Sequence, residues 1–208
     1  MSNILVLKAS ASGPSSVSNL LIDAALRDIR AADPAARITV RDFGREPLPH
    51  LTEANLPGVR GVPSTDEHKA ARELSDALIA ELKAADTLLI GAPMYNFSVP
   101  TTLRSWFDFV LRAGETFRYS EAGPEGLVKG KRVIVIETRG GLYSEGPAAA
   151  IDFQEPYLRQ LFAFMGVTDV TFIHAEKIGY GPDARDAAIA SAESKLGALL
   201  RQPAPAGA

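Results

Sequence analysis

The stretch Ile4-Leu5-Val6-Leu7-Lys8-Ala9-Ser10-Ala11-Ser12-Gly13-Pro14-Ser15-Ser16-Val17-Ser18-Asn19-Leu20-Leu21 decides how this chain folds. Its first four residues are an apolar run with two β-branched members, the pattern of a strand buried on both faces. A turn of Ser, Gly and Pro follows. From Ser18 to Ile29, Leu20, Leu21, Ala24, Ala25 and Ile29 then recur at helical spacing. A strand leading through a small polar turn into a helix is the opening unit of a wound α/β sheet.

The same alternation continues along the chain. Ile38-Thr39-Val40 is a second, shorter strand between Arg37 and Arg41, which suits a sheet edge. Phe43 to Ser64 is rich in Pro and Gly, shows no period, and reads as a long surface excursion of the kind that carries function. Thr65 or Asp66 caps a helix running to about Lys83, with Leu74, Leu78, Ile79 and Leu82 turned inward. Thr87-Leu88-Leu89-Ile90 is the most apolar strand and belongs near the sheet centre. A helix follows over Thr102 to Leu111, then a small hairpin made of Phe117-Arg118-Tyr119, Gly123-Pro124-Glu125-Gly126 and Leu127-Val128. Arg132 to Glu137 and Val170 to His174 complete the strands, and Pro156 to Met165 and Asp183 to Leu200 the helices. Five alternations with no repeat and no linker predict one doubly wound α/β domain over residues 1–201, with a parallel sheet covered on both faces. Gln202 to Ala208 is expected to be a frayed tail.

Composition narrows the chemistry. The 208 residues carry a net charge of −3, too mild for a broad nucleic-acid surface or a polybasic membrane patch. There is no cysteine, which removes disulfides, thiolate nucleophiles and cysteine-held metal clusters. Any redox chemistry must come from a bound cofactor. Lys8 interrupts the first apolar run and no later run is long enough to span a membrane, so the expected compartment is the cytoplasm.

In a doubly wound sheet the ligand sits beyond the carboxyl ends of the strands. Three loops lie there. Ser10 to Asn19 sets several hydroxyls and a Gly-Pro turn against a helix start, a natural phosphate site, although Ser is also a common helix cap. Pro93-Met94-Tyr95-Asn96-Phe97-Ser98-Val99-Pro100 puts two aromatics and a Met where a polar turn is usual. Met94, Tyr95 and Phe97 could stack on a flat conjugated ring whose polar edge meets Asn96; the same side chains could also fold back as core. Thr138-Arg139-Gly140-Gly141 offers a glycine pair that permits positive φ and close backbone approach to a planar ligand, or an ordinary turn. A phosphate pocket, an aromatic platform and a glycine wall outline a flavin mononucleotide (FMN) site.

These segments resemble the FMN-dependent NADH-azoreductase family, which also reduces quinones. The resemblance rests on the opening strand with Ser10 and Ser16-Val17-Ser18, on Ala92 to Phe97, on Phe117-Arg118-Tyr119, on Gly123-Pro124-Glu125-Gly126-Leu127, and on Arg139-Gly140-Gly141. It implies a flavodoxin-like sheet of strand order 2-1-3-4-5 and a homodimer with one FMN per subunit. The implied reaction has two steps: NADH reduces the flavin and leaves, and a quinone or azo compound then takes the electrons. On this resemblance Ser10, Ser16, Val17 and Ser18 bind the phosphate, and Met94, Tyr95, Asn96 and Phe97 hold the ring with Thr138, Arg139, Gly140 and Gly141 alongside. No protein side chain need act as a nucleophile or acid, because the chemistry is the flavin's.

Three further features are set aside at this level. Gly179 to Ala184 only echoes a dinucleotide fingerprint, and Pro182 suits a helix start. His50, His68 and His174 are far apart with no ligand-spaced partner in sequence, so no metal site is expected. The helix around Phe153 to Met165 is apolar on two faces, Phe153, Tyr157, Leu161 and Phe164 on one and Leu158, Phe162 and Met165 on the other. The surplus suggests a two-fold partner surface, or a helix buried beneath the hairpin, with Tyr119 and Phe162 as candidates to line a pocket shared between subunits. A flavodoxin-like electron carrier, or a regulatory FMN-binding protein without small-molecule turnover, is the alternative function; such carriers are usually strongly acidic, and this chain is not.

Overall fold

A computed structural model describes residues 2–201, so the expected frayed tail at 202–208 lies outside the described residues. Five strands form one parallel sheet: β1 (Asn3–Lys8), β2 (Arg37–Asp42), β3 (Thr87–Pro93), β6 (Arg132–Thr138) and β7 (Asp169–Ala175), in the order β2-β1-β3-β6-β7. Counting only these strands, that is the expected 2-1-3-4-5 order. β3 is central and its residues from Leu88 onward are buried, while β2 at the edge is largely exposed. Apolar, β-branched runs take the middle of the sheet because both of their faces lose water there.

Helices cover both faces. On one, α1 (Val17–Ala32) and α6 (Pro182–Leu200) pack over Val6, Leu89, Ile134 and Ile136. On the other, α3 (Asp66–Ala84), α4 (Thr101–Val110) and α5 (Glu155–Met165) enclose Leu5, Leu7, Leu88, Ile90, Val133 and Val135. Alternate residues of each strand thus feed opposite cores, as the period of two requires. α3 starts as expected at Thr65, whose hydroxyl accepts from His68 N at 3.2 Å; His68 completes a capping box in the position usually held by Glu.

The excursion from Phe43 to Ser64 contains a one-turn helix α2 (Leu56–Arg60) that the sequence did not signal. Phe43 and Val59 are buried, and Arg72 reaches the carbonyls of Gly58 and Gly61 at 2.6 Å each, which pins the segment to α3.

The expected small hairpin forms: β4 (Phe117–Ser120) pairs antiparallel with β5 (Gly123–Gly126), so Gly-Pro-Glu-Gly is its second strand. Leu127 and Val128 leave the hairpin, and Val128 N donates to Met165 O at 2.8 Å. A side chain at Gly126 would lie 2.1 Å from Gly166 N. Only a glycine lets the hairpin sit backbone-to-backbone on the end of α5.

Candidate active site

The three loops do meet, at the carboxyl ends of the adjacent strands β1, β3 and β6. Backbone bonds tie them in pairs: Ala9 N to Gly91 O at 3.1 Å, and Met94 N to Thr138 O at 2.9 Å.

After β1 the chain makes one 3-10 turn, Gly13–Ser15, and enters α1 at Ser16. Ser16 is the helix cap, its hydroxyl accepting from Asn19 N at 3.1 Å and lying 3.1 Å from the Ser18 hydroxyl. The capping reading is therefore true of Ser16, and it leaves the phosphate reading open. The amides of Val17 and Ser18, in the first turn, have no hydrogen-bond partner among the described residues. A cavity of about 740 Å³ opens here, lined by Ser10, Ser16 and Asn19 together with charged residues of both signs, Lys8, Arg27 and Arg45 against Asp23 and Asp42.

The second loop is a two-residue reversal in which Tyr95 and Ser98 exchange backbone bonds at 2.9 and 3.1 Å. Its central residues both take positive φ, 49° at Asn96 and 70° at Phe97, the pattern of a type I′ turn that favours Asn-Gly. Asn suits the first position. Phe at the second is strained, of the order of 1–3 kcal/mol for a bulky residue. Phe97 is 45% exposed, its ring edge-on to Tyr143 with centroids 6.1 Å apart. Tyr95 differs from the expected stacking platform. Its hydroxyl accepts from Ala11 N at 3.1 Å and lies 3.4 Å from the hydroxyls of both Ser10 and Ser12, bridging the second loop to the first. Burial would raise the phenol pKa, but the bonds from Ser10, Ser12 and Ala11 outweigh it and leave the group below its usual range.

In the third loop the glycines work through space rather than through φ, since neither is among the positive-φ residues. A side chain at Gly140 would meet nothing within 4 Å; one at Gly141 would sit 3.1 Å from the Tyr143 ring. Thr138 and Arg139 are buried, and the Arg139 backbone is tied inward, its N donating to Ala175 O at 2.9 Å and its O accepting from Ile178 N at 3.3 Å, so the exposed surface of the loop begins at Gly140. The guanidinium points inward to Glu137 at 2.5 Å, Asp152 at 2.9 Å, Glu176 at 3.1 Å and the Gln154 side chain at 3.1 Å. Glu176 in turn accepts from Tyr143 N at 2.8 Å, Ser144 N at 2.9 Å and the Ser144 hydroxyl at 2.5 Å.

His174 lies behind this network, its Nε2 2.7 Å from Glu155 and 3.2 Å from Glu137. Hydrogen bonds to Glu137 and Glu155 raise its pKa to about 9, and the bond to His174 lowers Glu155 to about 2. Burial pushes Glu137 upward against the pull of His174 and Arg139. One ligand-capable atom from each of Glu137, Glu155 and His174 falls within a 4.8 Å cluster, a spacing a metal could use and one the sequence did not reveal. The Arg139 guanidinium and His174 engage Glu137 Oε2, and His174 engages Glu155, so the cluster is an ion-pair network in which, among the described residues, the buried Glu137 Oε1 alone is left without a hydrogen-bond partner.

The two candidate acceptor residues part company. Tyr119, on β4, is 74% exposed. Phe162 is fully buried and packs edge-on against Phe107 with centroids 5.5 Å apart, so it does not line a pocket. Leu158, Phe162 and Met165 form the face of α5 turned to the sheet. Of the second expected face, Tyr157 and Leu161 flank this same core half-buried, Phe153 is exposed, and Phe164 meets the hairpin ring of Phe117 with centroids 4.6 Å apart. Sequence alone did not tell which of the two apolar faces meets the core. It also missed Tyr143, Gln154 and Glu176; the nearest signal was a Tyr following the Gly-Gly turn.

The donor set suits FMN. Open amides and neutral hydroxyls at a helix start match a phosphate without adding a charge that would need its own partner. The exposed Phe97 ring and the empty space over Gly140 leave room between two walls for a planar ring system.

Comparison with known proteins agrees with this geometry. Residues 2–200 match a family described by its flavodoxin-like fold. A protein of Hyphomonas neptunium named FMN-dependent NADH:quinone oxidoreductase is 69% identical over 94% of both chains. A Pseudomonas aeruginosa protein named FMN-dependent NADH:quinone oxidoreductase 3 is 50% identical, covering 94% of this chain and 92% of that one. The crystal structure of an azoreductase from Bacillus anthracis superposes with a TM-score of 0.88 at 29% identity, over 96% of this chain and 99% of that one. Sheet order, loop geometry and these relatives converge: the chain belongs to the flavodoxin-like family that includes these quinone oxidoreductases and azoreductases.

Proposed function

We propose that this protein is an FMN-dependent oxidoreductase that takes hydride from NADH and passes it to quinones, and to azo compounds. The observation that carries the reading is the meeting of an open helix start, a strained aromatic turn and an unobstructed glycine wall at one rim of the sheet, in a chain 69% identical to a protein named for that reaction.

In this reading residues 1–201 form a single FMN-binding domain. Ser10, Ser16, and the Val17 and Ser18 amides bind the phosphate. Met94, Asn96 and Phe97 form one wall for the ring, and Thr138, Arg139, Gly140 and Gly141 the other through their backbone. Tyr95 joins the phosphate loop to the ring loop. Bound FMN supplies the hydride chemistry. The protein stacks, orients and shields, and backbone N–H groups at Asn96 and the Gly140-Gly141 turn favour negative charge near the ring edge. A quinone requires one round of exchange and an azo bond two, which makes quinones the simpler acceptors. Tyr119 and Phe153, exposed beside the outer face of α5, belong to the surface of a two-fold homodimer that completes the acceptor pocket. No helix among the described residues is long and apolar enough to cross a membrane, which supports a cytoplasmic enzyme.

The test is an absorption spectrum of the protein after reconstitution with FMN and desalting. Retained flavin bands that bleach with NADH and return with a soluble quinone, over repeated turnovers, are expected. Bands that bleach but do not recycle with a small quinone would favour an electron carrier. Loss of all flavin on desalting would sink the reading.

A further inference from the structure

The two walls of the ring site are joined by one buried side chain. Gln154 is fully buried and sits just before α5. Its Nε2 donates to Ala92 O at 2.8 Å, two residues ahead of Met94. Its Oε1 accepts from Arg139 Nε at 3.1 Å, one residue ahead of Gly140. The orientation of the amide is fixed by chemistry: a carbonyl can only accept, and a guanidinium can only donate. Gln154 is itself held, its N donating to Asp152 Oδ1 at 2.9 Å while its carbonyl receives Leu158 N at 3.0 Å from α5. Asp152 also binds Arg139, so this short segment grips the third loop twice.

On the reading of the site given above, we propose that Gln154 is a positioning residue for the hydride-transfer reaction. It couples the strand ends that present Met94–Phe97 and Arg139–Gly141 and so sets the gap into which the ring fits. The β3–β6 ladder runs up to Pro93 and Thr138, and the Met94–Thr138 backbone bond continues it; the Gln154 amide adds a side-chain link between Ala92 and Arg139, just where the two strands give way to the loops. A primary amide is the one uncharged group of this length that can satisfy a carbonyl and a guanidinium at once. A carboxylate can serve only Arg139, and an aliphatic side chain serves neither.

That asymmetry supplies the experiment. Hydrogen–deuterium exchange is measured on the purified protein without added FMN, for wild type, Gln154→Leu and Gln154→Glu. Gln154→Leu is expected to speed exchange about tenfold in both segments, 93–98 and 139–144, the change that loss of a buried hydrogen bond brings. Gln154→Glu is expected to speed only 93–98, because Arg139 keeps an acceptor. With FMN bound, Gln154→Leu is expected to weaken retention about tenfold, alter the visible circular dichroism of the flavin, and lower kcat for a quinone while KM stays within about twofold. Reduced thermal stability with unchanged exchange in both segments, or equal effects of the two variants on 139–144, would overturn the proposal. The exchange arm stands even if wild type retains no FMN, an outcome that would fell the functional reading instead.

Discussion

The serine turn after β1 and the Gly140 turn after β6 bound the same site and are built on opposite principles. The first is made of neutral dipoles: Ser16 caps α1, Ser10 and Ser12 meet the Tyr95 hydroxyl, and among the described residues no charged side chain hydrogen-bonds to these three serines. The second hangs on a fully buried cation bound by three carboxylates from three different segments, Glu137, Asp152 and Glu176. On the reading proposed above the first loop binds a phosphate, which needs open donors and no carboxylate competing for them. A wall for a neutral ring needs rigidity instead, and buried ion pairs supply it because breaking them is costly. One region is soft and available; the other is committed.

Substitution should separate them. The largest effect is expected for Arg139→Met, which leaves three buried or half-buried carboxylates without their cation; chemical denaturation should show a loss of about 3–5 kcal/mol. Next comes Ser16→Ala, where loss of the cap costs about 1 kcal/mol. The same variant should weaken FMN binding about tenfold through one lost bond to a charged group, read by titration of flavin fluorescence. Equal stability losses for the two would break the contrast. The third contrast is in pH dependence. His174 has its pKa raised from 6.5 to about 9 in the folded protein. Its stabilisation is fully present below 6.5 and is lost as pH rises through about 9. Wild type should therefore lose stability between pH 7 and 9, and His174→Gln should be flatter across that window. Denaturation midpoints at several pH values check this; parallel curves would show that the histidine does not support the committed wall.

The fold was legible because its signals are local. Ile4 to Leu7, Thr87 to Ile90 and Arg132 to Glu137 declare themselves as strands by composition, and the loops that follow them share one rim by topology. The helix-capping half of the serine turn was legible for the same reason, since the Ser16 cap spans three residues, whereas the bonds from Ser10, Ala11 and Ser12 to Tyr95 span more than eighty and were not. What the sequence hid depends on contacts between distant segments. Arg139 looked like a loop residue, and its partners come from as far as Glu176. His174 looked isolated, yet both of its carboxylates reach it from other elements. Phe162 was misplaced because α5 carries two apolar stripes and only the sheet decides which one turns inward. Gly123-Pro124-Glu125-Gly126 has the composition of a turn but lies extended as β5, where Glu125 pairs with Arg118 at 2.6 Å and Gly126 meets Gly166.

Phe97 has a consequence for how this protein can change. It occupies a backbone position where glycine would be at ease, and its ring stands exposed. Folding alone would never choose it. In a lineage relieved of its catalytic duty, drift at this codon should run toward Gly or Asn, and those replacements should make the protein slightly hardier. Persistence of an aromatic at position 97 is then a molecular fossil of use: while the enzyme is still working, selection keeps the less comfortable residue.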